Sequence, residues 1–80
     1  MANKKQPRRR KLKREDKKLA KRIREVRKER GLSQEELSLR LGHNVSYIAY
    51  VETNRSGVSL PTLYKIAKIL KVKVRDLFTF

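Results

Sequence analysis

Cysteine and tryptophan are absent from the 80 residues. Without cysteine there is no disulfide framework and no thiolate metal site, and a reducing cytoplasm is the expected compartment. Histidine occurs once, as His43, with no carboxylate pair beside it. It reads as a turn residue rather than a metal ligand or an acid–base group, so no metal and no cofactor are expected. No apolar run approaches the ~20 residues of a membrane span. No apolar core follows the charged N-terminus, so a secretory leader is not expected. Acidic side chains are scarce, eight against 23 lysines and arginines. Glu35 and Glu36 are adjacent, but no nucleophile or phosphate-cradling loop accompanies them. They are read as helix-start carboxylates, and no enzyme is expected.

What the chain does have is positive charge. The net charge is +15, an excess that points to a polyanionic partner. Residues 1–16 carry eight basic and two acidic side chains, a net +6; the remainder carries fifteen and six, a net +9. A domain without its leader would still be basic. An anionic membrane would call for a basic helix with a broad apolar face. The leader offers only Leu12 as a large apolar residue, so nucleic acid is the better match and no membrane partner is expected. Residues 1–15 form a self-repelling run containing Pro7 and are expected to be a disordered basic arm. Arg8, Arg9, Arg10 and Lys11 are its candidates for phosphate or minor-groove contact. A purely solubilising tail and a nuclear-import or RNA-binding tag are the other readings of the same composition.

Residues 16–80 read as one all-α domain of five helices, with no strand pattern and no repeat. Helix 1 begins at Asp16 or its neighbour, and Leu19, Ala20, Ile23, Val26 and Arg27 share a face. Lys17, Lys18, Lys21, Arg22, Arg24 and Lys28 fill the rest, mostly as solvated charge. Gly31 ends the helix. Ser33 and Glu36 have capping-box spacing for helix 2. Leu37 and Leu41 share its inner face and Gly42 ends it. Asn44 is the expected cap of helix 3, Asn44 to Glu52, with Ile48 and Val51 inward. The TNRSGVS loop follows, with Asn54 and Gly57 as left-handed positions and Arg55 exposed. Ser59 caps helix 4 and Pro61 sits in its first turn. Leu60, Leu63, Ala67 and Leu70 face inward, with Ile66 and Ile69 alongside. Val74 to Phe78 close the domain through Leu77 and Phe78.

So short a join at Gly42 makes helices 2 and 3 cross steeply. With Leu37, Leu41, Ile48 and Val51 buried, Val45, Ser46, Tyr47, Ala49 and Tyr50 are left outside. In a protein this basic, such a face suits the major groove of double-stranded DNA.

From Leu19 to Phe78 the chain resembles the lambda-repressor-like, Cro/Xre helix-turn-helix family of bacterial and phage regulators. The carrying pieces are IREVRKERGLSQEELSLRLG, YIAYVE and SLPTLYKIAKILKVKVRDLF. The short length, the Tyr-Ile pair and the helical C-terminus look most like small controllers of restriction–modification systems. The resemblance implies a cytoplasmic, nucleoid-associated, sequence-specific transcriptional regulator. It implies base contacts by Val45, Ser46 and Tyr50, and backbone contacts by Gln34, Asn44, Tyr47, Arg55 and Ser56. It also implies a buried ion pair between Arg27 and Glu52. Val45 stands where the family commonly has a polar residue. It can meet a thymine methyl but cannot read guanine or adenine by paired hydrogen bonds, so direct readout is thin. Lys71 replaces the more usual glycine after helix 4.

A homodimer is expected, with Leu60, Tyr64, Ile69, Phe78 or Phe80 covered by the second copy. A toxin or a polymerase is a possible protein partner. The competing functions are an antitoxin-type interaction module and a non-specific DNA- or RNA-binding protein dominated by its arm.

Overall fold

The structure, a computed structural model, describes residues 14–53 and 55–80. The expectations for the arm, with Arg8, Arg9, Arg10 and Lys11, and for Asn54 lie outside them. Four α-helices are present: α1 Arg14–Glu29, α2 Gln34–Arg40, α3 Tyr47–Glu52 and α4 Leu60–Leu70. The fifth element, Val74–Phe78, is a short 3-10 helix rather than an α-helix. No strand occurs among the described residues. Because α1 begins at Arg14, the expected boundary at residue 16 falls inside it.

Three of the helices end in the same way. After α1, Gly31 adopts φ 73°, the Gly31 amide donates to the Lys28 carbonyl and the Leu32 amide to that of Arg27. After α2, Gly42 adopts φ 82°, and the Gly42 and His43 amides donate to the carbonyls of Leu39 and Ser38. After α4, Lys71 takes that place at φ 61°, with the Lys71 and Val72 amides bonded to Lys68 and Ala67. Each pair of bonds satisfies carbonyls that the helix itself leaves unpaired. Glycine does this without strain; for lysine the left-handed region costs on the order of 1–2 kcal/mol. Gly57, by contrast, has no positive φ, so it does not make the left-handed turn expected of it.

The helix starts are equally local. The Ser33 hydroxyl accepts from the Glu36 amide at 2.9 Å, and the Glu36 carboxylate accepts from the Ser33 amide at 2.7 Å. Ser59 caps α4 by accepting from the Thr62 amide, with Pro61 in the first turn. The start of α3 departs from expectation. Asn44 is not its cap: the Asn44 side-chain oxygen accepts from the Ser46 amide at 2.9 Å, a turn within the loop. Helix α3 therefore begins at Tyr47, and Val45 and Ser46 precede it.

The core joins all five elements through Ile23, Val26, Leu37, Leu41, Ile48, Val51, Leu63, Ile66, Ala67, Leu70 and Leu77. Leu77 is completely buried and brings the 3-10 helix onto the core. Two expected core residues are outside. Leu60 is 56% exposed, because α4 starts there and its inner stripe is filled by Leu63, Ile66, Ala67 and Leu70. Phe78 is 44% exposed, because the neighbouring Leu77 takes the inward position. Two arginines, Arg22 in α1 and Arg30 just past its end, tie this part of the chain to the C-terminal elements. The Arg22 Nε donates to the Asp76 carbonyl at 2.8 Å and the Arg30 Nε to the Leu70 carbonyl at 2.7 Å. Arg22 is thus a half-buried strut rather than part of a solvated face.

Candidate nucleic-acid interface

Ser38 holds α3 against α2. Its hydroxyl is fully buried, donates to the Gln34 carbonyl at 2.8 Å and accepts from the Ile48 amide at 2.9 Å. The first amides of a helix have no partner inside it. Here one of them is served from the neighbouring helix, so α3 needs no side-chain cap of its own. Ile48 and Val51 anchor the same helix by burial. No sequence signal singled out Ser38, because a mid-helix serine is usually read as neutral.

At its other end α3 is tied to α1 and α2. Glu52 receives Arg27 Nε on Oε2 at 2.7 Å, and Arg27 Nη2 on Oε1 at 3.1 Å. The Gln34 Nε2 also donates to Oε1, at 2.8 Å. Arg27 spends its remaining amino group on the Leu32 carbonyl at 2.8 Å. Both side chains of the ion pair are more than nine-tenths buried. Such a paired, hydrogen-bonded carboxylate orients its partners as well as neutralising the arginine. Gln34, expected to meet a backbone phosphate, is therefore also part of the network that fixes α3.

Around the outside of this unit the residues fall into two groups. Val45 and Tyr50 stand out from it, 49% and 48% exposed, and Asn44 and Arg55 are exposed as well. Ser46, Tyr47, Ala49 and Ser56 are half-buried. The Tyr47 ring packs against the core on one side and stacks on the His43 ring on the other, centroids 3.8 Å apart. Burial raises the Tyr47 pKa above the ordinary tyrosine value, with the nearby Thr62 side chain acting in the opposite direction. Tyr47 is consequently braced between the core and the turn that follows α2, and Tyr50 is the freer of the two tyrosines. The Tyr50 carbonyl accepts from the Arg55 amide at 2.8 Å and the Ser56 amide at 3.3 Å. That fixes the loop and leaves the Arg55 guanidinium exposed beside α3.

The described residues contain no helix long and apolar enough to cross a membrane. They contain no group of three His, Asp or Glu side chains able to hold a metal.

Residues 23–77 match the helix-turn-helix family HTH_3, and the chain belongs to that family. An uncharacterized HTH-type transcriptional regulator of Archaeoglobus fulgidus is 39% identical over 59 residues, 74% of this chain and 84% of that protein. The restriction–modification controller protein C.AhdI of Aeromonas hydrophila is similar in structure. It is 40% identical, with a TM-score of 0.72 over 78% of this chain and 90% of that one. The biofilm master regulator SinR, solved in complex with DNA, is 35% identical, with a TM-score of 0.67 over 74% of this chain and 95% of that one.

Proposed function

We propose that the protein is a sequence-specific, DNA-binding transcriptional regulator that inserts α3 and the turn before it into the major groove. The observation that carries this is the Val45–Tyr50 edge. Val45, just before α3, and Tyr50, on it, are exposed, while Ser38, Ile48, Val51 and Glu52 tie the helix to the interior. A rigid probe beside an exposed arginine, in a chain of net charge +15, matches a duplex better than any other partner. The names of the relatives support the same reading.

In this reading Val45, Ser46 and Tyr50 meet base edges. Gln34, Asn44, Arg55 and Ser56 meet the sugar–phosphate backbone, and Tyr47 does so only through the outer edge of its braced ring. The basic arm, with Arg8, Arg9, Arg10 and Lys11, follows the phosphates or the minor groove. Since Val45 supplies a methyl surface rather than paired hydrogen bonds, DNA shape carries part of the specificity. Leu60, Tyr64, Phe78 and Phe80 are exposed apolar side chains, and their exposure supports a homodimer in which a second copy of the chain covers them. Its two recognition helices would then fall about 34 Å apart, one turn of duplex.

Selection of binding sites from random duplexes tests the proposal. A symmetric site with half-sites one turn apart is expected. Equal affinity for selected and random duplexes would refute it.

A further inference from the structure

Four cations stand on one line along α1: Lys17, Lys21, Arg24 and Lys28, spaced four, three and four residues apart. At 3.6 residues per turn they fall within about 60° of arc and span about 16 Å of helix. All four are exposed, whereas the adjoining stripe of Ala20, Ile23, Val26 and Arg27 is buried. The two ion pairs among the described residues, Arg22–Glu25 and Arg27–Glu52, leave the line untouched. A solvated helix face gains from alternating signs at these spacings, and like charges there destabilise the helix. The arrangement makes sense if an external anion relieves the repulsion.

The line also has a definite place. The four lie about 60° to 120° round the helix from Arg27, Arg24 nearest, and Arg27 bonds to Glu52 at the end of α3. The cations therefore run along the flank of α1 next to the side that carries the recognition unit.

We propose that Lys17, Lys21, Arg24 and Lys28 form a track for the phosphate backbone of the same duplex, extending the footprint beyond α3 by about half a helical turn. This rests on the reading of the protein as a DNA-binding regulator. Each phosphate neutralised releases counterions and steepens the dependence of affinity on salt, by about 0.9 in the log–log slope. Backbone contacts fix position without reading sequence.

The test measures the affinity of the full chain for the selected duplex and for a random duplex of equal length, across 50–200 mM salt. The variant replaces all four track residues by glutamine, which has a helix propensity close to that of lysine and arginine; circular dichroism checks that it folds. The slope is expected to become shallower by about 3–4 on both duplexes, with the ratio of the two affinities unchanged. Lys65→Gln with Lys68→Gln, exposed on α4, is expected to leave the slope as it was, and Arg24→Lys to retain it. A wild-type slope in the four-residue variant overturns the track. An equal loss per charge in the α4 variant does so too, since only bulk charge would then matter. If the wild-type protein does not prefer the selected duplex, the parent reading fails instead.

Discussion

The Gln34 carboxamide donates to the Glu52 carboxylate across 2.8 Å, on the same oxygen that accepts from Arg27 Nη2. Three helices therefore meet on one buried side chain, and the end of α3 cannot tilt without breaking that junction. Removing Glu52 leaves the Arg27 guanidinium buried and unpaired. Glu52→Ala should cost roughly 3–5 kcal/mol, whereas replacing both partners, Arg27→Met with Glu52→Leu, should recover much of that loss. Thermal melts of the two variants decide it. If Glu52→Ala melts like the wild type, the junction does not bear on stability.

Ser38 offers a sharper local test. Ser38→Ala removes the acceptor of the Ile48 amide while changing almost no volume. A loss of about 1–3 kcal/mol is expected, because a buried donor is left without a partner. Hydrogen exchange at the Ile48 amide should quicken more than at Leu63 or Ile66. Unchanged protection at Ile48 would mean that another group caps α3.

Lys71 holds the one positive φ outside glycine among the described residues. Lys71→Gly relieves the strain but gives the unfolded chain more freedom, so the net gain should be about 1 kcal/mol. Chemical denaturation with an unchanged m-value would show it as a shift in midpoint alone.

The Glu36 carboxyl is held below its ordinary 4.5, chiefly by the hydrogen bond from the Ser33 backbone and next by the one from its hydroxyl. A lowered folded pKa means stability that is present above 4.5 and lost as pH falls through the folded value. The melting temperature should drop on acidification below pH 4.5. Glu36→Gln should flatten part of that acid limb, leaving the rest to the other carboxylates. An acid limb of unchanged depth in Glu36→Gln would contradict the capping account.

How much of this could be read from the sequence follows from the range of each interaction. Ser33, Glu36, Gly31, Gly42 and Pro61 act within a few residues, and their spacing alone locates the helix ends. Asn44 failed as a cap because its side chain had a nearer amide, that of Ser46, to bond. Leu60 and Phe78 failed as core residues because a hydrophobic stripe does not say which turn of a helix lies beyond the edge of the core. Ser38, Arg22 and Arg30 bond to groups in other elements, ten to 54 residues away. Nothing in their immediate neighbours encodes such partners. The outward edge at Val45 and Tyr50 was legible, since it is what remains once Ile48 and Val51 are assigned inward. That Tyr47 would be half-buried was not, because its packing against the core depends on how the helices cross, and its stacking on His43 depends on the shape of the turn between α2 and α3.

The most direct test follows the backbone amides of residues 45–50 by nuclear magnetic resonance as the selected duplex is titrated into the protein. The account predicts that Val45, Ser46 and Tyr50 shift most, saturating at one protomer per half-site, while amides of the core-facing side of α4 stay near their free positions. If those six amides do not move while signals from the basic arm do, the protein grips nucleic acid by its charge alone and α3 is not the probe.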